Sequence, residues 1–292
     1  MTPYPGKNTL VSETLDDLTV SLLSIALRED IGDEDITTKS IVPADSKFKG
    51  KIIAKENGII AGLRVIDMLY TNFFAAVKLV FFSSDGESVT KGKVIAEVLG
   101  PGHVLLSTER LMLNILQRMS GIATQTALYV EQVKGTEAII LDTRKTAPGL
   151  RSLDKMSVRI GGGTNHRQGL FDSYLIKENH IAAAGGLTEA VKRVQKTNAR
   201  RRMVEVEVRS HGELLEALGL AVDRILLDNM SVDDMKLAVK TVGGKIPLEA
   251  SGNITLQNVR EVAETGVDFI SVGSLTHSVR ALDLSFLLEE ST

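Results

Sequence analysis

Cysteine is absent from all 292 residues. That excludes disulfides, thiolate metal sites and cysteine nucleophiles, and it fits a cytoplasmic location. Tryptophan is absent too, and aromatic residues make up only 4%, which argues against the stacking platforms that hold single-stranded nucleic acid. No apolar run approaches the ~18 residues needed to cross a bilayer, so no membrane span is expected. The opening segment MTPYPGKNTLVSETLDD has no apolar core of a secretory signal. Nor does charge lean strongly either way. The formal net charge is −3, unlike the basic balance of a chain that binds nucleic acid along a face. Hydrophobic residues at 43% and charged residues at 24% are ordinary for a soluble globular protein. The length suits two domains or one large barrel.

Residues 14–30 have the spacing of an amphipathic helix, with Leu15, Leu18, Leu22, Ile25 and Ala26 on one face. The acidic run 29–35 lacks the ligand spacing of a calcium loop and reads as a solvated helix end and turn. Short alternating runs broken by glycines over 48–63 and 78–106 predict strands and hairpins, with a helix at 65–74 between them. The turn at Lys91-Gly92-Lys93 is faintly like a lipoyl-carrier hairpin, but no Asp-Lys-Ala-type turn presents a lysine, so these runs predict a small α/β sandwich. A helix is expected to begin at Ser107, with Glu109 in its first turn and Leu111, Ile115 and Met119 on its buried stripe.

After Gln132 the pattern becomes strand, loop, helix, repeated. Strand candidates are 138–141, 174–176, 203–208, 224–227, 246–250 and 268–272, with helices at 188–197, 210–218, 231–241 and 255–265. That alternation calls for parallel strands with right-handed crossovers. The segment is shorter than the ~250 residues of a full eight-unit barrel, so an incomplete parallel α/β barrel of six or seven strands is expected. Residues 281–287 alternate Leu282, Leu284 and Phe286 and predict a strand returning to the first domain's sheet. The expected division is an N-terminal α/β sandwich domain of residues 1–115 plus 275–292, and a catalytic barrel of 116–274.

In such barrels the ligand sits at the C-terminal strand ends. Polar groups gather there: Arg144 and Lys145, Lys177, Glu207, Asp228 and Asn229, and Ser251. Between Arg144 and His180, seven Lys or Arg stand against three Asp or Glu, beside the triple glycine 161–163. Basic charge so concentrated in a mildly acidic chain suggests a pocket for a small polyanion. Taken singly, each of these has a plainer explanation: a surface arginine is usually just solvated, and the glycines could be only a tight turn. A lysine directly after a buried strand, however, is costly unless it faces an anion. Glu205 and Glu207 point to the same side of one strand. Glu207 and Asp228, on successive strand ends, are anchors for Mg²⁺ and its waters, or else members of a buried Glu–Lys or Glu–Arg network. The turns Ser251-Gly252-Asn253 and Gly273-Ser274 lead into helices and can offer backbone N–H groups to phosphate.

The strings DTRKTAPGLR from Asp142, GGGTNHR from Gly161, LIKENHI from Leu175, VEVEV from Val204, LLDNM from Leu226 and EASGN from Glu249 occur in one order. The chain closely resembles the quinolinate phosphoribosyltransferase family from about Leu27 to Phe286. The resemblance implies a pentosyltransferase of NAD biosynthesis. It would convert quinolinate and phosphoribosyl pyrophosphate to nicotinate mononucleotide, pyrophosphate and CO₂, with Mg²⁺ accompanying the donor. It implies that Arg144, His166, Arg167 and Lys177, with Arg110 from a second subunit, hold the two quinolinate carboxylates. Lys145 would bridge to the phosphoribosyl group. Glu207 and Asp228 would serve the ribose hydroxyls and the metal shell, and Ser251, Gly252 and Gly273 the 5′-phosphate. It also implies a homodimer with shared sites, or a higher oligomer, and no nucleic-acid or membrane partner. Rival expectations are the molybdenum-transport-associated paralogue, a Schiff-base aldolase using Lys177, and a non-catalytic anion binder.

Overall fold

The computed structural model describes residues 15–290. The expected helix start at Thr14 and the opening segment read for a secretory signal lie outside that range. The elements run α1 (Leu15–Ile31), α2 (Ile36–Ile41), β1 (Lys47–Ala54), β2 (Gly58–Ile59), α3 (Leu63–Phe73), β3 (Lys78–Phe81), β4 (Ser88–Val89), β5 (Val94–Pro101), α4 (Gly102–Gln132) and β6 (Ile139–Leu141). They continue α5 (Arg151–Ile160), β7 (Tyr174–Ile176), α6 (Glu178–Ala184), α7 (Leu187–Thr197), β8 (Val204–Val208), α8 (His211–Leu218), β9 (Arg224–Asp228), α9 (Val232–Val242), β10 (Leu248–Ser251), α10 (Val259–Ala263), β11 (Phe269–Ser271), α11 (Ser274–His277) and β12 (Leu284–Glu290). Two compact units emerge. One comprises the described residues up to 124 with 147–160 and 279–290; the other comprises 125–146 and 161–278. Among the described residues no helix is long and apolar enough to cross a membrane.

The first unit is built on an antiparallel sheet in the order β12-β1-β5-β3. Along β1, Gly50, Ile52 and Ala54 are buried while Lys49 and Lys51 face outward, the period-two pattern of a half-buried strand. The outward lysines pair across the sheet, Lys51 with Glu289 at 2.8 Å and Lys49 with Glu97 at 3.2 Å. The expected hairpin order differs: β1 lies between β5 and β12, both distant in sequence. Alternation fixes which face of a strand is buried, but not which strand lies beside it. The return of the C-terminus is as expected, β12 pairing with β1 so that Phe286 sits opposite Ile52.

Helix α4 begins at Gly102 and not at Ser107. The apolar residues Val104 and Leu105 extend its packed face by a turn. Ser107 therefore lies inside the helix, where its hydroxyl donates to Asp35 Oδ2 at 2.9 Å. Asp35 is also the N-cap of α2, accepting from Thr38 N at 2.9 Å, so the end of the acidic run has a structural task. One face of α4 carries Gln117, Ser120, Gly121 and Thr124. Ser120 Oγ accepts from Ala61 N and Thr124 Oγ1 from Ile59 N, while Gln117 O accepts from Leu282 N. Gly121 is where the returning chain crosses: a Cβ there would sit 2.2 Å from the carbonyl oxygen of Arg280. Backbone cannot yield as a side chain can, so Gly121→Ala is expected to destabilise the protein by about 1–3 kcal/mol. A denaturant titration showing no loss of stability would refute this close approach.

The second unit holds a six-stranded parallel sheet in the order β6-β11-β10-β9-β8-β7. This is the expected candidate barrel at six strands. Helices α7, α8 and α9 stand where the sequence marks them, whereas α6 was not expected. Ser210 and Ser231 cap α8 and α9, accepting from the backbone N–H of Glu213 and Asp234. The last crossover differs: α10 starts at Val259, not near Thr255, because Thr255 N is taken by Asn258 Oδ1 in a turn. The triple glycine is not part of the lining of the cavity at the strand ends. It leads into Thr164, which bridges Leu141 in parallel and exchanges backbone hydrogen bonds with Ile140 and Asp142.

Candidate active site

At the C-terminal strand ends of the second unit lies a cavity of about 740 Å³. Its lining includes Arg144, Lys145, His166, Arg167, Lys177, Glu207, Asp228, Ser251, Gly252 and Gly273. Ten of the eleven residues singled out from the sequence thus meet in one place. The eleventh, Arg110, is exposed on α4 in the other unit and does not line the cavity.

The cavity has a cationic part and an acidic part. Arg144 and Lys145 follow β6, and Thr276 donates to the Lys145 carbonyl at 2.9 Å to hold that turn. His166 and Arg167 arrive on the loop after the Thr164 bridge. The buried Asp142 carboxylate accepts from the backbone N–H of His166 at 2.9 Å and from the Asn165 amide, which anchors that loop to β6. Burial and the neighbouring Arg144 charge both push Arg167 below the usual guanidinium range. Cations held side by side in this way are stabilised by any anion that lies between them.

The acidic part begins at β8, all five residues of which are buried. Glu207 Oε2 accepts from Lys177 Nζ at 2.9 Å, so Lys177 stands at the boundary between the two parts. Arg209, just past β8, reaches Glu178, comes to 3.8 Å from Glu207 and lies 3.3 Å from Asp228 Oδ2. Glu207 and Asp228 are therefore both potential hard-oxygen donors and members of a Glu–Lys–Arg network.

Beneath His166 lie two carboxylates that composition and spacing alone do not pair. Its Nε2 is 3.0 Å from Glu205 and 3.5 Å from Glu249. Glu249 is also bound by Arg224 at 2.8 Å and by the Ser271 hydroxyl. Burial opposes charge on His166, but its hydrogen bonds to Glu205 and Glu249 outweigh this and push it up to about 9. Burial would raise Glu249 as well, yet its hydrogen bonds hold it at about 2. Glu205 goes the other way: burial, with the Glu249 charge beside it, raises it. The ligand atoms of His166, Glu205 and Glu249 lie within 4.8 Å of one another and could coordinate a divalent cation. Against that use, Nδ1 of His166 accepts the Arg167 N–H at 2.7 Å, which puts the ring hydrogen on Nε2, facing the carboxylates. That bond favours the neutral ring and the two carboxylates favour the cation; either form keeps a hydrogen on Nε2, the atom a metal would need.

The remaining wall is a pair of turns. Asn229 and Asn253 both adopt positive φ, and Gly252 between them has φ 99°. Sequence reasoning missed Arg209 and, in the cavity lining, Glu249, His277 and Asn229 as a structural element. Glu249 stands two residues before Ser251 on the same strand, so period two could have marked it. Arg209 follows a buried strand, as Lys177 does, which is the signal that singled out Lys177.

Comparison with known proteins finds one family along nearly the whole chain. Residues 35–120 match the quinolinate phosphoribosyl transferase N-terminal domain, and residues 122–287 match its C-terminal domain. A Bacillus subtilis protein described as a probable carboxylating nicotinate-nucleotide pyrophosphorylase is 43% identical over 264 residues, covering 90% of this chain and 91% of that one. A chloroplastic carboxylating nicotinate-nucleotide pyrophosphorylase from Arabidopsis thaliana is also 43% identical, covering 92% of this chain and 82% of its own length. Among solved structures, the nicotinate-nucleotide pyrophosphorylase from Francisella tularensis superposes with a TM-score of 0.90 at 38% identity, covering 97% of this chain and 100% of that one. NadC from Streptococcus pyogenes gives 0.89 at 40% identity, covering 93% and 96%.

Proposed function

From the premise that this chain belongs to the quinolinate phosphoribosyltransferase family, we propose how its cavity divides the family's reaction between its two parts. In that reaction quinolinate and phosphoribosyl pyrophosphate give nicotinate mononucleotide, pyrophosphate and CO₂. Arg144, Arg167 and Lys177 take the two carboxylates of quinolinate, joined by Arg110 of the partner subunit in a homodimer, while His166, whose Nε2 faces Glu205 and Glu249 and whose Nδ1 accepts the Arg167 N–H, serves this pocket by holding Arg167 in place. The observation that carries this reading is the cluster of cations in one cavity, with Arg144 disfavouring the charge of Arg167. A dicarboxylate relieves that repulsion, and a guanidinium fork binds carboxylate at two points.

The acidic part takes the donor. Glu207 and Asp228 orient the ribose hydroxyls, and their negative charge favours the positive charge that grows on the anomeric carbon as pyrophosphate departs. Lys145, which also lines the cavity, meets the negative charge that gathers on the leaving group. Ser251, Gly252 and Gly273 face the 5′-phosphate. The donor set fits Mg²⁺, a hard ion that prefers carboxylate and phosphate oxygens. Glu207 and Asp228 are each engaged by a cationic side chain, which suits contact through the ion's waters over direct ligation. When bound with the donor, Mg²⁺ supplies charge neutralisation for pyrophosphate.

The ring nitrogen of quinolinate attacks the anomeric carbon, and the product is a pyridinium. Loss of CO₂ from the adjacent carbon leaves an electron pair stabilised by that cationic nitrogen, and the carbon is then protonated. The test is incubation with quinolinate, phosphoribosyl pyrophosphate and Mg²⁺. Nicotinate mononucleotide and CO₂ are expected in equal amounts. Nicotinate, which lacks one carboxylate, leaves part of the cationic cluster unmatched, so its kcat/KM should fall by on the order of 10³-fold or more. Comparable turnover of nicotinate would exclude a dicarboxylate pocket. Borohydride trapping of a carbonyl compound on Lys177 would favour an aldolase instead.

A further inference from the structure

We propose that Asn229 and Asn253 form a positioning bridge that fixes Asp228 and the Ser251–Gly252 turn in one register, so that both ends of the phosphoribosyl donor meet a single rigid wall. This rests on the donor assignment above and deepens it. Asn229 Nδ2 donates to Asp228 Oδ1 at 3.0 Å, and Asn229 Oδ1 accepts from Asn253 Nδ2 at 3.1 Å. The carboxylate only accepts, so it sets the direction of the Asn229 amide and leaves its oxygen for Asn253. The backbone makes the same connection, Asn229 N donating to Ser251 O at 2.8 Å. Asn253 is in turn held from α10, through Asn258 Nδ2 donating to its carbonyl at 3.0 Å.

The conformations point the same way. Asn229 has φ 54° and Asn253 φ 53°, the left-handed region that, among non-glycine residues, asparagine enters most readily. Two such residues facing one another across adjacent strand ends, at a cavity wall, are held there by their surroundings at a conformational cost. Gly252 permits the approach: a Cβ on it would lie 2.2 Å from Asn229 Oδ1. Neither asparagine is needed for burial, since both are exposed. The bridge therefore bears on geometry and not on core packing.

The test is a double-mutant cycle with glycine, which keeps the positive φ and removes only the amide. Asn229→Gly and Asn253→Gly are each expected to lower kcat/KM for phosphoribosyl pyrophosphate about tenfold, the effect of one hydrogen bond to a charged group. The double variant is expected to lose about tenfold as well, because the first cut already disconnects the bridge. kcat/KM for quinolinate at saturating donor should stay within about twofold in each, a split that general loosening of the fold would not give. A double variant near the hundredfold product of the singles overturns the bridge, as does a loss carried by quinolinate. Thermal melting is measured on each variant. If a glycine variant does not fold, Asn253→Asp carries the test. It keeps the shape but turns an oxygen towards Asn229 Oδ1; about a tenfold donor loss supports the bridge and wild-type kinetics overturn it. Failure of the donor assignment registers separately, as an Asp228→Asn variant with unaltered donor kcat/KM, and the bridge falls with it.

Discussion

Two inactive preparations, Arg110→Ala and Arg144→Ala, are expected to regain activity when mixed under conditions that exchange subunits. Arg144 lines the cavity of its own chain, whereas Arg110 is exposed on α4 and lines none of it. If Arg110 serves the partner's site, a mixed dimer has one site with both defects and one with neither. Random equal mixing makes about half the dimers mixed, so about a quarter of all sites should recover in a closed two-fold dimer. Each variant alone should be nearly silent, because removing a guanidinium leaves a substrate carboxylate unmatched. Activity is read before and after exchange, with exchange confirmed by mass-tagged subunits. No recovery despite confirmed exchange would place both arginines in one chain's site.

Glu207→Gln and Asp228→Asn should each lower kcat/KM for the donor by on the order of a hundredfold, the scale of removing one preorganised electrostatic group. The two differ in their side effect. Glu207 holds Lys177 at 2.9 Å, so its neutralisation frees that ammonium for quinolinate. Quinolinate binding by Glu207→Gln, measured calorimetrically without donor, should therefore be unchanged or tighter. Asp228 has Arg209 and Asn229 as its neighbours and no lysine, so Asp228→Asn should leave quinolinate binding unaltered. Collapse of quinolinate affinity with intact donor kinetics would reverse the two halves of the cavity.

The second unit was legible because its signals are local. Short apolar runs, separated by amphipathic helices of which α8 and α9 carry serine caps, mark buried parallel strands, and polar residues at or just past the end of each run mark the rim. Lys177, Asp228 and Ser251 stand directly after their expected runs, Arg144 and Lys145 shortly past Leu141, and Glu207 next to the last residue of β8. Helix α5 was not legible. Its sequence RSLDKMSVRI mixes charge and apolar residues, yet Asp154 is fully buried and bound at two points by Arg118, at 2.8 and 2.9 Å. A half-buried ion pair separated by 36 positions has no local period to reveal it. For the same reason the true start of α4 was missed: Ser107 has the chemistry of an N-cap, but its hydroxyl is taken by Asp35.

The sequence by itself determined a parallel α/β unit of six or seven strands, the faces of its strands and the residue types at its rim, because periodicity and strand-end position are properties of a short stretch; that the strands number six was decided by the structure. Its ordered motifs determined the family. What only the tertiary structure decided is which groups share a proton or a charge. His166 meets Glu205 and Glu249, Arg209 spans Glu178, Glu207 and Asp228, and Asn229 meets Asn253. Such pairings depend on sheet order and on turn conformation, and both are set by burial across the whole unit, not by neighbours along the chain.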